Sequence, residues 1–357
     1  MKVAVLGAGG MGGGIWSTLK DHPLVSDVVM VDNREECVQM WRTKHKANAT
    51  TDLQSVLADP DVKLVFVTAS NAAHKPLCMA AFEAGKAVMC EKPIATTLKD
   101  SLEMVEMAER KKLYFQIGFE LRYSKLYTSV KDWIDQGLLG QVINTQFSYF
   151  CSEFHHKGSW RNKKETGGSM FGEKLCHYVD LPRWWIGSQV TEVHSMCAPN
   201  VVPYYEVRDN YHTLYRFANG AVSSLTFVMY AAHTFDGDPL QNMVTQQQGD
   251  GHQLTYRIIG TKGAAALDVF YRTLKRWEFG DSPKCMTNTL VETHTWPHEE
   301  DQRYYHDGTT QALDIVRRVH EGLPPATPAR DAYETMRVVF AAEKSADEGR
   351  AVRMDEV

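Results

Sequence analysis

Lys2-Val3-Ala4-Val5-Leu6-Gly7-Ala8-Gly9-Gly10-Met11-Gly12 is the stretch whose reading decides the fold. Its apolar run, Val3 to Leu6, has the unbroken hydrophobicity of a parallel strand buried on both faces. Glycines 7, 9 and 12 follow directly and fit G-x-G-x-x-G. One glycine makes the tight turn, one lets a pyrophosphate approach the backbone, and one allows close helix–strand packing. The helix that opens there offers unpaired N–H groups to an anion. Asp32 ends the next β-branched run, 20 residues after Gly12. A carboxylate at that place accepts hydrogen bonds from adenosine ribose hydroxyls and repels a 2′-phosphate. The predicted cofactor is therefore NAD(H), held by Gly7, Gly9, Gly10, Met11, Gly12, Asp32 and Asn33. Arg34, two residues past Asp32, leaves NADP(H) open.

Outward from this turn, Val28–Val31, Leu64–Thr68, Ala87–Cys90 and Leu113–Ile117 repeat the strand signal. Helical stretches separate them, most clearly Thr97–Arg110, where Leu98, Leu102, Val105 and Ala108 share a face and Thr97 with Asp100 forms a capping pair. Such alternation predicts an α/β chain with a doubly wound parallel sheet over residues 1–120. Beyond 120 the texture changes. A helix near Ser124–Gln136 stops at Gly137, and strand signals then dominate: Val142–Tyr149, Tyr211–Phe217, Ala221–Met229, Leu254–Ile259 and Ala264–Val269. Asn219-Gly220 and Lys262-Gly263 supply turn chemistry between them. Tyr211, Thr213, Tyr215 and Phe217 alternate with His212, Leu214 and Arg216, so this strand has two unlike faces. A second, largely antiparallel region over 121–357 is expected. Helices near Thr310–Glu321 and Asp331–Glu348 close the chain, the last one packing back on the first domain. The polar segment Asp236–Gly251 reads as a loop.

Composition excludes several classes. The 357 residues exceed what one hydrophobic core holds. Hydrophobic residues make up 43% and charged residues 23%, which argues against disorder. The net charge of −5 argues against a phosphate-coating nucleic-acid partner. No apolar run is long enough for a membrane span. A strand directly after Met1 leaves no room for a signal peptide. Seven cysteines (37, 78, 90, 151, 176, 197 and 285) with no C-x-x-C fit reduced thiols in a cytoplasm. Cys176 stands directly beside His177.

Two clusters carry candidate chemistry. Glu91-Lys92-Pro93 follows a strand of the parallel sheet, where carboxyl ends line the ligand crevice. Burial and a neighbouring positive nicotinamide would lower the pKa of Lys92 toward use as a base; a plain surface lysine is the bland alternative. The second cluster is Gly167-Gly168-Ser169 running to Glu173, His177 and Asp180. On a helix these three ionisable residues fall at i, i+4 and i+7 and share a face. They form either a site or a buried polar network. No third metal ligand is specified by spacing, so no metal is expected. His155, His156, Trp160 and Arg161 are candidate substrate-wall residues, with an exposed polar loop as the alternative.

Together these landmarks resemble the Gfo/Idh/MocA family, the glucose-fructose oxidoreductase and inositol dehydrogenase group. They are Gly7-Ala8-Gly9, Thr68-Ala69-Ser70-Asn71 with His74, Glu91-Lys92-Pro93, Gly118-Phe119-Glu120-Leu121-Arg122-Tyr123, Gly167-Gly168-Ser169, His177 with Asp180, and Ile259-Gly260-Thr261-Lys262-Gly263. The resemblance implies a Rossmann domain followed by an α/β domain with a large open, mostly antiparallel sheet, whose outer face mediates homodimers or homotetramers. It implies that Thr68, Ser70, Asn71, His74, Glu91 and Lys92 join the cofactor site. It makes Lys92 and His177 catalytic, and puts Glu173 where many members carry an aspartate. Glu-Lys-Leu-Cys-His replaces the common Asp-x-Gly-x-His here, and Glu120 stands where members often carry a neutral residue. Glu120, Arg122, Tyr123 and Tyr178, with the wall residues above, would face a sugar or cyclitol. Hydride transfer from a secondary hydroxyl to NAD is the implied reaction. A redox-neutral, NAD-dependent glycosidase and a non-catalytic dinucleotide sensor are the alternatives.

Overall fold

Six short strands form the first sheet: β1 (Lys2–Leu6), β2 (Asp27–Val31), β3 (Asn48–Thr50), β4 (Val62–Val67), β5 (Ala87–Cys90) and β6 (Phe115–Ile117). All pair in parallel, in the order β3-β2-β1-β4-β5-β6. The order reverses between β1 and β4, and a ligand crevice opens at the carboxyl ends beside such a switch point. The computed structural model describes residues 1–153, 155–233 and 249–357. Its chain divides into two compact units. The first contains 1–120, 164–168 and 308–336; the second contains 121–163, 169–307 and 337–357.

The first unit follows from its hydrophobic runs. Val3, Val5, Met30, Leu64, Phe66 and Met89 are buried together in its core. Helices α1 (Gly10–Leu19), α2 (Glu35–Met40), α3 (Leu53–Ala58), α4 (His74–Glu83) and α5 (Leu98–Lys111) alternate with the strands. At the start of α5 the Thr97 hydroxyl accepts the Asp100 amide, as the capping pair predicts. Ala312, Ile315 and Val316, from the helix Gly308–Glu321, enter the same core as Ile15 and Leu19 of α1. The helix Ala329–Glu348 gives its first eight residues to this unit and the remainder to the second.

The second unit holds a nine-stranded sheet: β7 (Val142–Cys151), β8 (Val190–Met196), β9 (Asn210–Phe217), β10 (Val222–Met229), β11 (Gln253–Gly260), β12 (Gly263–Asp268), β13 (Thr273–Asp281), β14 (Met286–Thr295) and β15 (Val352–Arg353). The order is β14-β13-β12-β11-β7-β10-β9-β8-β15, with β7 and β10 parallel and the other pairs antiparallel. In β9 the side chains of Tyr211, Thr213, Tyr215 and Phe217 are buried, and those of His212, Leu214 and Arg216 are exposed. Sequence reading missed β3, β8, β13, β14 and β15. β14 shows why: nearly every residue from Met286 to Thr295 is exposed, so no apolar alternation marks it. The loop expected at 236–251 lies outside the described residues over 236–248. All seven cysteines are described and are free thiols.

Candidate functional site

In the first unit the site starts at the turn between β1 and α1. Gly7 has a φ of +104°, and a Cβ on it would meet the Ala69 backbone at 2.7 Å. A Cβ on Gly12 would lie 2.1 Å from the Gly7 carbonyl oxygen. These two glycines are required by the protein itself. Gly9 and Gly10 differ: nothing lies within 4 Å of a Cβ built on either. Their bare backbone lines open space at the N-terminus of a helix whose first turn carries no acidic residue. That is an anion cradle with its positive end uncancelled, and the residues present fit a dinucleotide pyrophosphate. Thr68 closes the turn from β4, its hydroxyl donating to the Gly7 carbonyl at 2.8 Å. Met11 and Asn33 are exposed at the rim.

Asp32, buried at the end of β2, accepts the Ala8 amide (3.1 Å) and the Arg34 amide (3.1 Å). The Arg34 guanidinium also forks onto it, Nε at 3.0 Å and Nη2 at 3.2 Å. Burial works against the charge, but the Arg34 contacts and the two amides more than offset it, so this carboxyl sits below its ordinary range. A cavity of about 510 Å³ opens beside the turn, lined by Gly9, Gly10, Arg34, Cys37, Met40 and Trp41 among others. Cys37, Met40 and Trp41 were not anticipated. The one signal in the sequence was the glycine run continuing past the fingerprint to Gly13 and Gly14.

Two residues expected at the cofactor brace the turns around them. His74 is fully buried, its ring nitrogens 2.8 Å from the Pro93 carbonyl and 3.2 Å from the Ala69 carbonyl. Burial pushes its pKa down. Asn71, also buried, donates to the Gly167 carbonyl at 2.9 Å. Both hold the turns around them through these bonds to backbone carbonyls. Ser70 is half-buried beside them. At the end of β5 the Glu91 amide donates to Val67 at 2.9 Å, and the Lys92–Pro93 peptide is cis. Glu91 is sealed in, and its carboxyl is pushed up to about 8, first by burial and then by the Glu120 carboxyl, against the opposing charge of Lys92. Glu91 therefore holds its proton more tightly than an ordinary glutamate, with half-buried Lys92 next to it.

The second unit groups another set. Phe171–Leu175 forms a wide π turn before the helix Cys176–Ile186 begins. This corrects the expected continuous helical face, because a π turn rotates Glu173 out of the 3.6-residue spacing. Glu173 turns to the 155–161 segment. Its carboxylate takes the Arg161 Nε at 2.9 Å and lies 3.2 Å from the His155 Nε2. Asp180 pairs instead with Arg122 through two contacts of 2.6 Å. Arg122, expected in the substrate wall, is thus a buried structural partner, with 9% of its side chain exposed against 2% for Asp180. Tyr178 is a second correction. It is 1% exposed, stacks on Phe147 at 4.2 Å and shares a 2.7 Å hydrogen bond with the Tyr305 hydroxyl, so it belongs to the core. His177 is buried, its ring 5.9 Å from that of His306. Tyr123, His155 and Trp160 are half-buried and His156 is exposed. The Arg161 guanidinium lies 4.5 Å over the Trp160 ring. Asn162 ties this segment down by donating to the His155 (3.2 Å) and His156 (3.1 Å) carbonyls. Among the described residues no group of three or more His, Cys, Asp or Glu could hold a metal.

A glycine cradle, a ribose-directed carboxylate and a parallel sheet with its switch point beside them define a dinucleotide-binding oxidoreductase fold. The comparisons narrow it. A model described as the oxidoreductase family with an NAD-binding Rossmann fold matches residues 1–119, and one for the GFO/IDH/MocA C-terminal domain matches 127–266. The chain belongs to the Gfo/Idh/MocA family of NAD-binding oxidoreductases. It is 28% identical to inositol 2-dehydrogenase of Salmonella typhimurium over 306 residues, covering 85% of this chain and 81% of that one. It is 27% identical to levoglucosan dehydrogenase of Pseudarthrobacter phenanthrenivorans over 265 residues, 67% of this chain and 64% of that one. Among solved structures, levoglucosan dehydrogenase in complex with NADH superposes with a TM-score of 0.81 at 22% identity, covering 99% of both chains. A probable dehydrogenase from Thermotoga maritima gives 0.77 at 21% identity over the full length of both. No described helix is long and apolar enough to cross a membrane.

Proposed function

We propose that this chain is a dehydrogenase that moves a hydride between a secondary hydroxyl of a sugar or cyclitol and NAD(H). The observation that carries the reading is the open Gly9–Gly10 cradle beside Asp32, in a chain that keeps Glu91-Lys92-Pro93 at the carboxyl end of β5. The names of its relatives, inositol 2-dehydrogenase and levoglucosan dehydrogenase, support the substrate class. Bound NAD+ would supply the hydride acceptor for the carbinol carbon. His177 would accept the hydroxyl proton and Lys92 would assist its removal, so that a carbonyl forms as hydride and proton leave. Glu173, held by Arg161 and His155, keeps a carboxylate oriented for substrate hydroxyls. Trp160 offers an aromatic face to a sugar ring. Arg34 weighs against strict NAD selectivity, because its guanidinium on Asp32 softens the repulsion of a 2′-phosphate. The exposed Met196, Leu214 and Ile259 on the outer face of the second sheet support a homodimer or homotetramer, which light scattering would test.

A panel of cyclitols and aldoses incubated with NAD+ tests the reaction: NADH absorbance should rise in proportion to substrate consumed. One observation favours a second reading. Glu91, its carboxyl pushed up by burial and by the Glu120 carboxyl, would supply the extra acid/base group that a redox-neutral glycosidase needs. Nitrophenyl glycosides cleaved with no net NADH would select that reading over the first.

A further inference from the structure

We infer that Trp41 is a positioning residue for the dinucleotide, locking the phosphate-binding turn through the Ala8 carbonyl. The inference rests on the cofactor reading above. Trp41 opens the π turn Trp41–His45 after α2, and only 5% of it is exposed. Its indole N–H donates to the Ala8 carbonyl at 2.8 Å across a sequence separation of 33 residues. The Cys37 thiol reaches the same oxygen at 3.6 Å. On the other side of the residue, the Ala8 amide donates to Asp32 at 3.1 Å. Ala8 is therefore gripped at both its amide and its carbonyl.

This grip has a directional consequence. In a planar trans peptide the C=O and the following N–H point in opposite directions. Anchoring the Ala8 carbonyl toward Trp41 sends the Gly9 N–H the other way. Gly9 caps α1, so this N–H lies where a helix terminus favours an anion. A glycine turn left to itself samples many conformations. The indole removes that freedom before any ligand arrives, which is the general route by which preorganisation gains affinity.

Three contacts fix the indole in turn. Its edge meets Trp16 at 5.4 Å between ring centroids, and the His45 ring lies 4.4 Å away. Gly13 supplies the third: a Cβ there would stand 3.4 Å from the indole ring. The indole thus lies directly against the first turn of α1. Gly13 falls outside the G-x-G-x-x-G spacing, and this contact gives it a reason. Trp41 also lines the cavity beside the turn, so its ring and its N–H have separable effects.

Trp41→Phe removes the donor and keeps an aromatic ring at the site; the smaller ring also gives up the indole atoms that face Gly13, a packing loss that adenosine binding and the thermal midpoint report. Dissociation constants for NADH are read by fluorescence titration, and those for ADP and adenosine by displacement of NADH. The thermal midpoint is measured alongside. One lost hydrogen bond predicts a rise in the NADH and ADP constants of about tenfold. Adenosine, which has no phosphate, should bind within twofold of the parent protein, and the midpoint should stay within a few degrees. An unchanged ADP constant overturns the inference. So does equal weakening of ADP and adenosine, which would make Trp41 a wall of the cavity and nothing more. Parent protein that binds no NADH would instead refute the cofactor reading, a result this substitution cannot produce.

Discussion

The turn after β1 and the 155–180 region of the second unit both gather polar groups, by opposite means. At the turn, backbone does the arranging: the groups on offer are peptide N–H donors, and side chains such as Thr68, Asp32 and Trp41 hold the backbone still. Around Glu173 and Asp180 the arrangement is made by charged side chains that meet across long sequence separations. Arg122 and Asp180 are 58 residues apart, and Arg161 and Glu173 are 12 apart. A backbone site tolerates change at most positions apart from its glycines. A side-chain site depends on each partner keeping the other, since a buried charge left alone is costly.

Substitutions sharpen this contrast, beginning with the largest effect. Lys92→Ala and His177→Ala should each lower kcat by about 10²–10⁴-fold, the range of a lost acid/base group, while NADH affinity stays within a few fold. Steady-state rates with an equilibrium titration check this, and retained turnover in either variant would remove that residue from the chemistry. Next comes Arg122→Ala. It removes both 2.6 Å contacts to Asp180, so urea unfolding should show a clear loss of stability. Asp180→Asn in the same background should recover part of it; full additivity of the two would show that the ion pair does not hold the unit.

A smaller effect is expected from Glu91 and depends on pH. The native state keeps its proton up to about 8, whereas an unfolded glutamate releases it near its ordinary value of 4.5. Between those values the native state binds more protons, so stability should fall as pH rises, by about 1 kcal/mol per pH unit. The contribution is fully present below pH 4.5 and gone above 8. Glu91→Gln should flatten that slope in thermal melts; an identical slope would assign it to another group. Asp32→Ala closes the series. Loss of the ribose acceptor should lower the NAD/NADP preference by roughly tenfold, measured as the ratio of kcat/KM values. An unaltered ratio would pass selectivity to Arg34.

These differences also explain what could be read from the chain. The Gly7–Gly12 turn and Asp32 were legible because their spacing is local and imposed by steric limits: at Gly7 and Gly12 any other residue collides with backbone. β1 and β5 were legible because their apolar runs have no competing pattern. Trp41 was not, because the hydrogen bond that gives it meaning spans 33 residues and nothing in its own neighbourhood marks it. The partners of Arg122 and Tyr178 were hidden for the same reason. Their types suit a sugar pocket, but Asp180 and Tyr305 claim them first. Glu173 and His177 looked coupled by helical spacing until the π turn between them changed the count.

The return of residues 308–336 to the first unit constrains how the protein is made. Ala312, Ile315 and Val316 are part of the core that contains β1 and α1. A ribosome that has released only the first 120 residues has delivered the whole parallel sheet but not the helix that finishes its core. The nascent sheet must therefore wait through the synthesis of nearly 190 more residues, residues 121–307, with apolar surface uncovered. A fragment ending at 120 should accordingly express as an aggregating or chaperone-bound species. A circular permutant that begins near Gly308 would present the helix first and shorten that exposure.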